Sequence, residues 1–435
     1  MNIGKRGDRK IGFWTCTALV VGNVIGMGIF LLPASLAPYG LNALIGWGIT
    51  LIGCLALARV FSHLAHALPD ADGPYVYIQR TLGKLPAYIA LWAYWASIWP
   101  TDAALATGVV GYLREVFPAV QVIQPSLLAI GLIWAVVLVN LLGVRAGGAV
   151  QVVTTVLKLL PMLAIALLGG WVLIHSPASY VAHVPTTPIS LNAVMAASTL
   201  ALFAMVGIES ATIPAAQVDN PGRTIPRATM AGTVLTTLVY IVVSSVPLLL
   251  IRQHELASAS APFSLLMDRF VGADFGRWLA LFVVISGLGA LNGWTLLVGE
   301  LTRTMAHNSV MPAVLGRNNR FGAPAAALFV IGLFASVMVG MSYSQSLVQA
   351  FTFFTRVVTA ANLPLYLGCV LALIVLWRRK ELADTTTYAV LPVVIIGLLY
   401  VGFVCIGAGR GPILLTLGLC AAGLPLYAFM RRHHG

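Results

Sequence analysis

Charge is what this sequence has least of. Asp, Glu, Lys and Arg make up 9% of its 435 residues, where soluble domains carry about 25%. Acids are the scarcer kind, 13 against 25 basic residues. A soluble globular domain with a charged, solvated surface is excluded. Cysteine is also sparse. Cys16, Cys54, Cys369, Cys405 and Cys420 all lie within apolar runs, without metal spacing or a disulfide framework, and read as small core residues. The eight histidines are scattered. His63 and His66 stand three apart as a ligand pair would, but no third ligand is near, so neither a metal nor another cofactor is expected. No GxxxxGK[ST] run appears, so any work done is driven by a gradient or a counter-substrate rather than a nucleotide.

What the chain has instead is apolar length. Hydrophobic residues make up 59% of it, and mean hydropathy is +0.94. Reading runs of about twenty residues gives twelve candidate spans, near 11–37, 41–66, 85–113, 125–143, 149–174, 190–216, 226–251, 276–302, 324–341, 346–377, 388–408 and 411–430. The expected fold is an all-α integral membrane protein with twelve transmembrane helices and the lipid bilayer as its solvent. With the N-terminus placed in the cytoplasm, seventeen of the 25 basic residues fall on the cytoplasmic side and five on the other. That bias puts both termini in the cytoplasm. The formal charge of +12 is therefore mostly a topology signal, and no nucleic-acid partner is expected. The basic segment 1–10 leads straight into a long span without a cleavage-site pattern, so no signal peptide is expected.

Two spans carry interruptions. GNVIGMGIF, Gly22 to Phe30, places Asn23, Gly26 and Gly28 inside the first span, with Pro33 close behind. Glycine weakens a helix by roughly 1 kcal/mol relative to alanine, and opened backbone in a membrane survives only where protein buries it or a cavity receives it. The alternative is a helix closely packed through small residues. The sixth span repeats the pattern: FAMVGIESA, Phe203 to Ala211, sets Gly207 in an apolar run, followed by Glu209, Ser210 and Pro214. Interrupted segments at corresponding places predict an inverted repeat of five helices plus five, with spans 1 and 6 broken and a site near the midplane. The expected organisation is a first repeat over 11–176, a second over 190–378, and two additional C-terminal helices over 388–430.

Asp102, Glu209, Lys158 and Arg356 lie deep within spans. Each costs at least ~2.5–3.5 kcal/mol at mid-bilayer, so a functional or paired role is the default. Asp102 is read as a counter-ion for a cationic side chain, a partner of Lys158 or Arg356, or a titrating group. Arg356 meets Asp102, binds an anionic substrate group, or turns to the cytoplasm.

GNVIGMGIFLLPASLA, PDADGPYVYIQRTLG, FAMVGIESA with VDNPGRTIPRAT behind it, and LNGWTLLVGELTR together resemble the amino acid–polyamine–organocation superfamily, most closely the bacterial arginine/agmatine and related basic amino acid/polyamine antiporters. The resemblance implies backbone N–H groups of Gly26, Met27 and Gly28 for a substrate carboxylate, and carbonyls of Val24, Phe203 and Val206 for the ammonium. It also implies an aromatic lid at Phe203, Trp294 on the cytoplasmic side of the path, and Ser97, Ile98, Asp102, Leu105 and Val357 at positions that contact substrate. Tyr94 and Glu209 match the inner gate, with Glu209 as the proton-linked carboxylate. Lys158 resembles a fifth-span lysine whose ammonium replaces a sodium ion. Several positions depart from the arginine/agmatine pattern: Met27 and Val357 stand for serines, Phe203 for a tryptophan, Asp102 for an asparagine and Lys158 for an alanine. The expected function is exchange of a basic amino acid for its decarboxylated amine across a bacterial inner membrane, with a neutral amino acid permease as the alternative and a possible homodimer. A channel predicts a continuous polar stripe, and a membrane enzyme predicts clustered catalytic groups. The sequence has neither.

Overall fold

The computed structural model describes residues 12–68, 71, 73–142, 157–208, 218, 220–382 and 387–434. Its elements are α-helices joined by short 3-10 turns. The first apolar run holds two helices, α1 (Phe13–Val24) and α2 (Gly28–Leu36). Between them Ile25 is extended at φ −71°, ψ 104°, which ends the helical ladder. After a 3-10 turn at Ala37–Tyr39, Gly40 turns the chain with φ 54°. A Cβ there would meet Pro185 at 2.8 Å, so both conformation and space demand glycine.

The next helices are α3 (Asn42–Ala67), α4 (Pro74–Leu82), α5 (Lys84–Val116) and α6 (Pro125–Leu141). Then come α7 (Leu159–His175), α8 (Ala178–Ala182) and α9 (Leu191–Ala204). The Ser190 hydroxyl accepts from the Ala193 N–H and fixes where α9 begins. At the far end of α9 the chain leaves the helix over 205–208, and Gly207 has φ 109°. The second interruption thus opens at the glycine. The expectations for Glu209 and Ser210 lie outside the described residues.

The second half contains α10 (Pro221–Leu250), two short helices α11 (Gln253–Ser258) and α12 (Pro262–Phe270), and α13 (Ala273–His307). It continues with α14 (Ala325–Met341), α15 (Leu347–Arg378), α16 (Thr387–Ala408) and α17 (Arg410–His434). Among the described residues six helices are long and apolar enough to cross a membrane: α3, α10, α13, α15, α16 and α17.

The helices fall into two packed groups. In one, α1, α2, α3, α9 and α10 pack on each other; in the other, α5, α6, α13 and α14 do. Helix α15 touches both, lying along α5 and reaching α2, α3 and α9. Small residues allow the close approaches: a Cβ on Gly46 of α3 would lie 3.0 Å from the Ala197 Cβ of α9. Hydroxyls then bind helix to helix. Thr359 donates to the Thr199 carbonyl at 3.1 Å, and Thr199 donates to that of Val404 at 3.0 Å, linking α15, α9 and α16. A narrow space remains where the two groups meet, beside the break in the first span.

Candidate functional site

Opening a helix in an apolar setting frees carbonyls that must find donors. At Ile25–Met27 they come from two other helices. Lys158, immediately before α7 and 4% exposed, donates from Nζ to the Gly22 carbonyl at 2.6 Å and the Ile25 carbonyl at 2.5 Å. Tyr240 of α10, fully buried, donates its hydroxyl to the Val24 carbonyl at 3.0 Å. Its oxygen also lies within bonding reach of the Gly26 N–H, and its ring packs edge-on against Trp47 at 5.9 Å. An ammonium and a phenol thus take up the carbonyls that the break frees.

A cavity of ≈ 30 Å³, room for about two waters, adjoins the break. Its wall is formed by Val24, Gly26, Gly28, Ile29, Thr101, Leu105, Phe203, Ala204, Val206, Tyr240, Trp294 and Val358. Phe30 N–H turns back to the Met27 carbonyl at 3.1 Å, which leaves the N–H groups of Gly28 and Ile29 at the start of α2 without intrahelical acceptors, and the helix dipole makes this end attractive to a negative group. A Cβ on Gly26 would meet nothing within 4 Å. At Gly28 the Phe203 ring is so close that a Cβ would lie 2.6 Å from it. Phe203 in turn stands edge-on to Phe351 of α15, with centroids 5.9 Å apart. Phe203 belongs to the cavity wall, and Phe351, near the N-terminal end of α15, packs against it.

The structure brings seven of the residues singled out by sequence to this wall: Val24, Gly26, Gly28, Leu105, Phe203, Val206 and Trp294. Others sit elsewhere. Met27 is fully buried and its side chain turns to the scaffold, where a Cβ on Gly108 would lie 3.3 Å from Met27 Cγ and one on Gly287 would lie 2.8 Å from Met27 Sδ. The side chain that replaces a serine is therefore a packing anchor. Ser97 donates to the Tyr94 carbonyl at 2.7 Å, one turn along α5 from the cavity wall. Ile98 packs among Trp92, Trp95 and Trp99. Val357 is buried off the wall and Val358 takes its place, because one residue rotates a helical side chain by about 100°. Tyr94 is half-buried outside the wall.

Asp102 is 1% exposed and is not part of the wall; it follows the wall residue Thr101 on α5 and faces Thr295 of α13, the neighbour of Trp294. Thr295 reaches its Oδ2 at a long 3.4 Å, and Oδ1 has no partner among the described residues. Pairing with Lys158 or Arg356 is corrected: Lys158 serves the break, and the Arg356 guanidinium donates to the Tyr39 hydroxyl. Arg356 itself lies toward the N-terminal end of α15, beside the α2 C-terminus.

Sequence reading missed Tyr240, Thr101 and Ile29. Thr101 was within reach of a helix-face argument, since Ser97, Thr101 and Leu105 recur every four residues and Thr101 donates to the Ser97 carbonyl at 2.8 Å. Tyr240 gave no signal, because a tyrosine in a span reads equally as an interfacial anchor.

Comparison with known proteins agrees in fold and length. A profile of the amino acid permease family matches residues 11–412. The putrescine transporter PotE of Escherichia coli K12 is 26% identical over 436 residues, covering 98% of this chain and 99% of that protein. The cadaverine/lysine antiporter of the same strain is 32% identical over 325 residues, 74% of this chain and 72% of that protein. Among solved structures, the Eremococcus coleocola manganese transporter in complex with an aromatic bis-isothiourea substituted compound aligns with a TM-score of 0.57 and 14% identity, over 96% of this chain and 94% of that one. At that identity the likeness speaks to fold alone.

Proposed function

Because the chain belongs to the amino acid permease family, we propose that it is a secondary active transporter exchanging a basic amino acid for its decarboxylated amine, in the manner of arginine for agmatine, by alternating access. The main-chain break supplies the common part of recognition. N–H groups at Gly26, Met27 and Gly28 take the carboxylate, and carbonyls of Val24, Phe203 and Val206 take the ammonium. Phe203 is the lid and Trp294 lines the inner path; Tyr94 and Glu209 gate it, Glu209 carrying the proton linkage. Lys158 stands where a sodium ion would otherwise neutralise the opened carbonyls. A cavity of ≈ 30 Å³ must widen to admit any amino acid, which requires the two helix groups to part.

The observation that carries the basic-substrate reading is Asp102. A buried carboxylate without a cation is expensive, and one oxygen lacks a partner. A guanidinium or ammonium arriving past Thr101 relieves that cost. Putrescine and cadaverine, for which PotE and the cadaverine/lysine antiporter are named, are cations of this class. In proteoliposome counterflow with arginine, agmatine, ornithine, lysine and leucine, the basic compounds exchange and leucine does not. Asp102→Asn lowers arginine flux about ten-fold, the loss of one charge-assisted contact, and leaves any leucine flux within about two-fold. Equal loss for both classes contradicts the counter-ion role.

A second reading, a permease for neutral amino acids, draws on the wall itself. No charged side chain belongs to it among the described residues. Leucine exchange that survives Asp102→Asn while arginine fails to exchange in the wild type would select this reading.

The same proposal extends to architecture: a multi-pass protein of the bacterial inner membrane with twelve spans, both termini cytoplasmic, and a dimer through the last two helices. An inverted repeat is supported by the way like positions of the two halves pair: α3 with α10, α5 with α13, α6 with α14, and α2 with α9.

A further inference from the structure

A positive charge at the mouth of a carrier of cations is an electrostatic anomaly. On the proposed topology, the C-terminus of α2, the helix α11 and the N-terminus of α15 face the outside. They enclose an open vestibule of about 740 Å³, whose wall includes Ser35, Tyr39, His254, Gln349, Thr352 and Arg356. Along α2, Ser35 is six residues beyond Ile29 of the central cavity, about 9 Å at 1.5 Å per residue. Phe351 packs against Phe203 of the cavity wall and is followed on α15 by Thr352 and Phe353 of the vestibule wall, so the ring pair stands between the two spaces. The vestibule is therefore an antechamber to the central site.

Most polar groups around it are already engaged. Ser346 and Gln349 cap α15 reciprocally, and Thr352 donates to the Ser35 hydroxyl at 2.8 Å. Arg356 differs. It is half-buried, one guanidinium nitrogen donates to Tyr39, and Nε is buried without a partner. No acidic side chain pairs with it among the described residues; Glu255, next to His254, pairs with Arg269. A guanidinium held by one neutral hydroxyl retains most of its capacity for a carboxylate, its best-matched partner.

We propose that Arg356 and Tyr39 form an outer docking subsite for the α-carboxylate of an incoming amino acid. The subsite rests on the transporter reading above. It adds a selectivity the central site lacks: an amino acid arriving from outside offers a carboxylate to Arg356, whereas its decarboxylated amine offers only positive charge and is repelled. The carrier is thereby biased to take up the amino acid from the outer face, with the amine as the exported partner.

The test measures external KM for arginine and for agmatine in oriented proteoliposomes. Arg356→Gln raises the arginine KM about ten-fold, the size of one partly solvated charge-assisted contact. It leaves the agmatine KM unchanged or lower, and kcat within about two-fold. Arg356→Lys keeps the charge and most of the preference. Values from the inner face do not move. Equal changes for arginine and agmatine, no change in either, or Arg356→Lys behaving as Arg356→Gln would overturn the subsite. Wild type that moves neither compound sinks the basic-exchange reading instead, and the pair leucine and isopentylamine, alike except for the carboxylate, then carries the same test.

Discussion

The first span and α5 break the rules of helix composition in opposite ways. Helix α5 carries Pro100 in its interior and still runs unbroken from Lys84 to Val116. The first span has no proline between Val24 and Gly28, yet opens there completely. Proline removes one N–H and crowds one carbonyl, a local defect that the dense packing of α5 against α13 and α15 absorbs. At Ile25–Met27 the backbone opens because glycines weaken the helix and because donors from elsewhere take the carbonyls. Lys158 takes two and Tyr240 one. The opening is thus a tertiary structure, held by residues more than a hundred positions away.

If so, removing a donor should do more harm than altering the helix itself. Lys158→Met leaves the Gly22 and Ile25 carbonyls without their charged donor, on the order of 3–6 kcal/mol for two such bonds. Uptake in proteoliposomes should fall below detection, and the detergent-solubilised protein should melt many degrees lower. Retention of half the activity would end the comparison. Gly28→Ala comes next. Its Cβ would lie 2.6 Å from the Phe203 ring, and overpacking of this kind costs about 1–3 kcal/mol. Flux should drop at least about ten-fold and recover in part when Phe203→Leu is added, whereas Gly26→Ala, with open space around it, should fold normally.

Tyr240→Phe removes two neutral contacts of the hydroxyl, with the Val24 carbonyl and the Gly26 N–H, about 1–3 kcal/mol together, so a several-fold to ten-fold loss of flux with an intact fold is expected. The smallest effect belongs to α5. Pro100→Ala restores a helical N–H and should leave stability within about 1 kcal/mol and flux within about two-fold. A loss as large as that of Gly28→Ala would mean that Pro100 is part of the moving machinery.

The sequence made the helices legible because lipid requires long apolar runs. The break was legible because Gly207 in FAMVGIESA repeats the interruption of the first span; Gly26 and Gly28 alone read equally as a close-packing helix. Lys158 was legible too, since an ammonium inside a span must meet something polar. What stayed hidden depended on rotation and packing. Whether Val357 or Val358 faces the cavity turns on a single residue of register. Met27 lies between two wall glycines, yet it points to Gly108 and Gly287 because Phe203 occupies the other side. Arg356 looked like a partner for Asp102 as long as only depth in the span was known. Its guanidinium reaches Tyr39, beyond the C-terminus of α2, instead.

The central claim is that the space beside the α1–α2 break receives the substrate. Leu105→Cys, on the α5 wall opposite the break, tests it most directly in a protein whose five native cysteines have been replaced. The rate of modification by a small methanethiosulfonate reagent is measured with and without a saturating substrate that the variant still exchanges. Modification slowed at least about ten-fold by substrate, and not by a non-substrate at the same concentration, is the predicted result. An unchanged rate in a variant that transports normally would place the substrate elsewhere and contradict the account.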